Sequence, residues 1–301
     1  MLNQLIKKNN LVIFSIVSFL AIHHLFFLYS FEINFPYSVD FSDEFNSIFY
    51  FITEGKESFF DTKGVHIIFF PKLISYPFLF LNNFDVTGLY YLQWIVISVS
   101  LYIFYLILKQ TDKKLLWTII PISAFLYSPL TSSGYWAIAL LAWLFAMLGI
   151  SLTVYLLNRK KLNSLAFGTG IFFTIFSTLS IVVGITAWLA GLIAIFKNSS
   201  KTKIQDKKWI SLWIVSTIII GIFYYYLISN SADPMYPELL FTSAGFSFIT
   251  HFLASSFRLK FEFLMISVGS ISLFLSCFFV YYFTKKQNLS NYLPWFIFLL
   301  I

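Results

Sequence analysis

Long apolar runs divided by short charged clusters set the pattern of this chain. The runs cover Leu11 to Phe31, Val86 to Leu108, Leu115 to Ser128, Tyr135 to Leu157, Leu162 to Phe196, Trp209 to Ile228 and Phe261 to Phe283, and a further one starts near Tyr292. A bilayer core about 30 Å thick takes about 20 helical residues, and backbone groups in lipid must find partners within the segment, so runs of this length predict membrane-spanning helices. Strands of a membrane barrel would alternate polar and apolar residues, which these runs do not. Leu162 to Phe196 is long enough for a hairpin of two short spans. The pattern predicts an all-α fold, a single polytopic transmembrane helix bundle over residues 1–301 with about nine spans. The final apolar stretch, Leu293 to Ile301, is about half a crossing, so the bundle is expected to be C-terminally incomplete.

Composition agrees and narrows the class. Of the 301 residues 59% are hydrophobic and 11% charged, against about 45–50% and about 25% in soluble domains. That excludes a secreted domain, a cytosolic enzyme with a helical tail and a nucleic-acid binder. The single cysteine, Cys277, lies inside an apolar run and excludes a disulfide framework or a thiolate metal site. Leu11 to Phe31 is too long for a signal-peptide core and lacks a small-residue cleavage pattern, so it is expected to stay as an anchor.

Charge gives the spans a direction. Fifteen of the twenty basic residues fall in five clusters: Lys7 and Lys8, Lys109 to Lys114, Arg159 to Lys161, Lys197 to Lys208, and Lys285 with Lys286. Only Asp112 and Asp206 accompany them. The positive-inside rule puts all five in the cytoplasm and predicts a multi-pass cell-membrane protein with a cytoplasmic N-terminus, net +13 inside and −6 outside. An odd number of crossings must then separate the first span from Lys109. Val86 to Leu108 is the clean span, so His66 to Leu81, short and carrying Pro71, Lys72 and Pro77, is expected to lie in or dip into the outer interface. The same parity makes Leu239 to Leu259 a second external interfacial segment. Residues 32–82 and 229–260 thus form two outer segments built at one leaflet.

The first outer segment carries the candidate chemistry. Seven of the thirteen acidic residues lie between Glu32 and Val65, among them Asp40, Asp43 and Glu44. Asp43-Glu44 is a carboxylate pair among aromatics, opening a stretch whose Phe45, Phe49 and Ile52 share a helical face. Ser42 or Asp43 would serve as the cap of such a helix; alternatively the pair takes a proton from an acceptor hydroxyl or holds a divalent cation. His66 reads either as an interfacial anchor or as a ligand. Lys72, isolated among aromatics, either snorkels or meets an anionic lipid phosphate. Arg258 and Lys260 read as anchors of the second interfacial segment or as further phosphate contacts.

The order of these features resembles the GT-C superfamily of membrane glycosyltransferases. It is most similar to a GT-C-like multi-span group whose first loop carries an acidic pair and an aromatic residue, then H-R-x-F-F-P-R-L. Here the corresponding residues are Asp43-Glu44-Phe45 and His66-Ile67-Ile68-Phe69-Phe70-Pro71-Lys72-Leu73. Ser128-Pro129 before Tyr135-Trp136 resembles that group's S-P followed by E-N-W, and Gly184, Trp188 and Gly191 resemble its G-x-x-x-W-P-x-G. The likeness extends over roughly Lys7 to Phe196. Val65 stands where the group has an acid, Ile67 where it has Arg, Ser133-Gly134 where it has Glu-Asn, and Leu189 where it has Pro.

The resemblance implies transfer of a sugar from a polyprenyl-phosphate carrier at the outer face, inverting the anomeric carbon, with the lipid phosphate leaving. Asp43 is then the expected base, Asp40 its alternate, Glu44 a helper or metal ligand, His66 and Lys72 phosphate neighbours, and Arg258 and Lys260 more distant ones. The expected partners are a polyprenyl-phosphate-linked sugar and membrane lipid. Two rivals remain: a transporter of lipid-linked sugar, for which His23 and His24 are the only ionisable groups in a clear central stretch of span, and a non-catalytic membrane subunit, which the missing second carboxylate would suit.

Overall fold

A computed structural model describes residues 2–34, 62–63, 66–81, 87–111, 113–128, 137–159, 162–199 and 205–229, with isolated positions beyond. These residues are almost wholly helical. In chain order they form α1 (Leu2–Asn34), the two-residue strands β1 (Thr62–Lys63) and β2 (His66–Ile67), α2 (Phe69–Leu81), α3 (Thr87–Thr111), a 3-10 turn (Lys113–Thr118) leading into α4 (Ile119–Leu126), α5 (Ala137–Leu157), α6 (Ser164–Thr178), a 3-10 turn (Val182–Ile185), α7 (Thr186–Ser199) and α8 (Gln205–Ser229). Four of them are long and apolar enough to cross a membrane, over Asn10–Ser30, Gly88–Gln110, Leu140–Leu157 and Lys207–Ser229. They coincide with four of the runs expected to span; Leu115 to Ser128, also expected to, instead forms the 3-10 turn and the eight-residue α4, too short for about 30 Å. The runs from Phe261 and Tyr292 lie outside the described residues.

Leu162 to Phe196 forms a helical hairpin. α6 has 15 residues and α7 has 14, about 22 Å and about 21 Å of rise, so neither crosses about 30 Å alone. Asn163 caps α6, its side-chain oxygen accepting from the Ala166 amide at 2.8 Å. At the apex the α6 carbonyls find partners in the turn itself: Leu179 N–H donates to Ile175 and Ser180 N–H to Ser177. Hydroxyls do the same, Ser180 to the Phe176 carbonyl at 2.7 Å and Thr178 to that of Thr174 at 2.8 Å. A helix end so deep in the bundle would otherwise expose costly carbonyls. Gly184 lets the returning chain pass, since a Cβ there would collide with the Ser177 carbonyl oxygen.

α5 is the hub, packed against α2, α3, α6 and α7. Its sequence is apolar all round, as a helix enclosed by others requires. Small residues set how closely its neighbours come. A Cβ on Gly149 would meet the Phe173 carbonyl at 2.8 Å, and the Ser177 hydroxyl reaches the Ala146 carbonyl at 3.0 Å, so α5 and α6 nearly touch backbones. α7 shows a row of small residues, Ala187, Ala190, Gly191 and Ala194, all buried. The α8 residue Trp213 fills the hollow over Gly191 and donates its indole N–H to the Trp188 carbonyl at 2.9 Å. In a membrane such contacts hold helices by van der Waals packing and hydrogen bonding rather than by release of water.

One end of the bundle is marked by basic side chains over aromatic rings. Lys109 lies over Tyr105 at 5.7 Å, Arg159 over Tyr155 at 5.8 Å and Lys208 over Trp209 at 5.6 Å. Each cation ends or begins a long helix, and each ring stands beside it. Aromatic residues with basic neighbours favour the headgroup level of a bilayer.

Candidate functional site

The segment leading into α2 carries the sequence-predicted His66 and Lys72. β1 and β2 pair antiparallel, with Thr62 opposite Ile67 and Lys63 opposite His66. Ile67 is fully buried in a cluster with Leu179, Tyr224 and Ile228, and its backbone meets the Tyr224 hydroxyl. One step on, the Phe70 amide donates to the Leu179 carbonyl at 3.4 Å and its ring lies 4.8 Å from that of Phe176. The entry to α2 is thus seated on the apex of the α6–α7 hairpin and on α8. Local chemistry starts the helix there: Pro71 falls in the first turn, where its missing N–H costs nothing, and the Lys72 amide donates to Ile68.

α2 buries Pro71, Lys72, Ser75, Tyr76 and Leu79, a stripe at helical spacing, and leaves Leu73, Phe80 and Leu81 exposed. Its 13 residues rise about 20 Å, too short to cross a membrane, in keeping with the expected non-spanning segment. Pro77 does not break it. Pro77 and Leu73, whose carbonyl loses a partner through Pro77, both lie on the exposed face.

Lys72 is 2% exposed. Of its two readings, snorkelling into water is therefore removed, because the side chain ends inside the protein. The side chain is engaged by other groups of the fold. His66 sits in β2 six residues away. Asp40, Asp43, Glu44, Arg258 and Lys260 lie outside the described residues, as do the helical face of Phe45, Phe49 and Ile52 and the segment Leu239 to Leu259. Among the described residues no group of three or more His, Cys, Asp or Glu is gathered as a metal site.

The residues resembling G-x-x-x-W-P-x-G carry packing. Gly184 clears the apex, Trp188 donates its indole N–H to the Thr178 hydroxyl at 3.1 Å, and Gly191 receives Trp213. Leu189, where the resemblance has Pro, is 49% exposed and touches none of this.

The polar apex of the hairpin escaped sequence reasoning, and so did the partner of His24, a residue it had named. Ser177, Thr178 and Ser180 are all buried at the hairpin apex; the run Phe-Ser-Thr-Leu-Ser inside an apolar stretch was the available signal. His24, 1% exposed inside α1, bonds through Nδ1 to the Tyr127 carbonyl at 2.9 Å. Because that acceptor is a carbonyl, Nδ1 carries the proton. The Tyr127 hydroxyl in turn meets Ser98 at 2.8 Å, and Trp94 donates to the Ala21 carbonyl at 3.0 Å. His23, one residue earlier, faces outward.

The described fold is an almost wholly helical assembly with four helices long and apolar enough to cross a membrane, a polar-capped hairpin of two short helices and a buried lysine beside its apex. Comparison of the chain with protein-family profiles, with curated proteins and with solved structures found no match in any of the three.

Proposed function

We propose that this protein is a GT-C-like membrane glycosyltransferase of about nine spans, resident in the cell membrane with its N-terminus in the cytoplasm. It moves a sugar from a polyprenyl-phosphate carrier to an acceptor at the outer face. The observation that carries the reading is Lys72, a fully buried lysine in the first turn of α2, in the stretch that resembles that group's H-R-x-F-F-P-R-L motif. A fixed ammonium with little water around it stabilises negative charge developing on a departing phosphate far better than an exposed one. Asp43 deprotonates the acceptor hydroxyl, with Asp40 as the alternate base, and Glu44 assists or holds a divalent cation. The attacking oxygen bonds to the anomeric carbon as the bond to the carrier phosphate breaks, so the configuration inverts. His66 lies beside the phosphate, and Arg258 and Lys260 supply further positive charge.

Reconstituted protein supplied with polyprenyl-phosphate-linked sugars tests this. Wild type should release polyprenyl phosphate and Asp43→Asn should not, while both remain folded; equal turnover by the two proteins overturns the assignment.

A transporter of lipid-linked sugar is the second reading, favoured by the interrupted helices α6 and α7 and by His24 inside a span. Movement of carrier across vesicles without any sugar transfer would select it. A non-catalytic membrane subunit is favoured by Ser133-Gly134 standing where the resembling group has Glu-Asn. Carrier binding without transfer or translocation would select that.

A further inference from the structure

A groove of about 490 Å³ runs between α1, α3 and α4. Its walls are apolar, with Phe14, Val17 and Ala21 from α1 facing Leu101 and Tyr105 from α3 and Ile119 from α4. Phe14, Ile22 and Tyr102 on its rim are 73%, 65% and 60% exposed. All three stand on helices long enough to cross a membrane, so the groove opens sideways to lipid and not to water.

Its length is informative. Along α1 it extends from Asn10 to Ile22, twelve residues on, about 18 Å of rise. A single leaflet is about half of a 30 Å core. The groove therefore matches one hydrocarbon chain entering from one side. It is closed at the far end by the Ser98–Tyr127 hydroxyl pair and by Trp94 bonded to the Ala21 carbonyl.

The near end is basic. Asn10 and Tyr105 line it, and the ammonium of Lys109 stands over the Tyr105 ring. Lys109 is exposed there, and the sequence flanking the starts and ends of α1 and α3 on that side is basic, with Lys7, Lys8, Lys113 and Lys114 against a single acid, Asp112.

We propose that the groove holds one acyl chain of an anionic glycerophospholipid, whose phosphate is met by Lys109. An apolar slot one leaflet deep below a net positive mouth fits a lipid with a charged head at the interface and a chain beneath it. The site is separate from Lys72 and does not depend on the transferase reading.

Native mass spectrometry of the full chain in mild detergent tests the proposal, with phosphatidylglycerol and phosphatidylcholine of identical chains as probes. One phosphatidylglycerol should remain bound and phosphatidylcholine should be displaced by it. Lys109→Gln should weaken phosphatidylglycerol by about fivefold and phosphatidylcholine by less, narrowing the difference between them. Ser18→Phe, which fills the groove, should abolish retention of both. Equal retention of the two lipids by wild type overturns the proposal, as does undiminished phosphatidylglycerol on folded Ser18→Phe. Undecaprenyl phosphate displacing phosphatidylglycerol at equal concentration would also overturn it, by assigning the groove to the carrier lipid. The wild-type comparison and the surface lysine variant decide the matter even where Ser18→Phe does not fold.

Discussion

The amide of Phe70 donates to the carbonyl of Leu179 across 3.4 Å, joining the start of α2 to the apex of the α6–α7 hairpin. Leu179 is the first residue past α6, and its carbonyl would otherwise end a helix without a partner. The bond therefore serves both sides, closing the hairpin and fixing the first turn of α2 from which Lys72 projects.

If Lys72 supplies the charge that receives the departing phosphate, Lys72→Met should lower sugar transfer by a hundredfold or more. Lys72→Arg should restore part of that loss. The measurement is release of polyprenyl phosphate at saturating donor, with size-exclusion profiles to verify folding. Full activity in Lys72→Met would dismiss the role.

Gly184 is required by space. A methyl group there would collide with the Ser177 carbonyl, which is backbone and cannot swing aside. Gly184→Ala should cost about 1–3 kcal/mol or more, seen as a lower thermal midpoint in detergent. Gly168 on α6 has nothing within 4 Å of the same position, so Gly168→Ala should leave the midpoint unchanged or raise it slightly.

Adjacent histidines should behave differently. His24→Leu leaves the Tyr127 carbonyl without its donor and should cost about 1–3 kcal/mol. His23→Leu, on the outward face, should cost nothing measurable. Comparable losses in the two variants would mean that α1 is rotated relative to the arrangement described.

Thr153 on α5 and Thr174 on α6 share a hydrogen bond of 3.0 Å in the buried interface. A double-mutant cycle with valine at both positions should return a coupling of about 0.6 kcal/mol, and not more than about 1.7. Thr174 also donates to its own helix at Gly170, which is why the inter-helix share is expected to be small.

Four span positions were legible in the apolar runs, and so was the break in Leu162 to Phe196, because length alone forbids one straight helix and suits two short ones; Leu115 to Ser128 read as a span and is too short to be one. Facing was not. α1, α5 and α8 are apolar on every side, so no periodicity in their sequences says that His24 points inward while His23 points outward. The same holds at the hairpin apex. Ser177, Thr178 and Ser180 show as a polar interruption, but which carbonyls they serve depends on where the backbone turns, and that follows from the room left at Gly184. The stretch from His66 to Lys72 was visible as a motif. Its seat on Leu179 and Tyr224, more than a hundred residues away, was not.

The cations over rings at Lys109, Arg159 and Lys208 act as a waterline painted on one side of the hull. With that side pinned at headgroup level, a thicker bilayer must take up its extra height at the opposite side, where α2 presents Phe80 and Leu81 outward. A single preparation moved between short-chain and long-chain vesicles should therefore change how much of Phe80 and Leu81 meets lipid, without any change in its sequence.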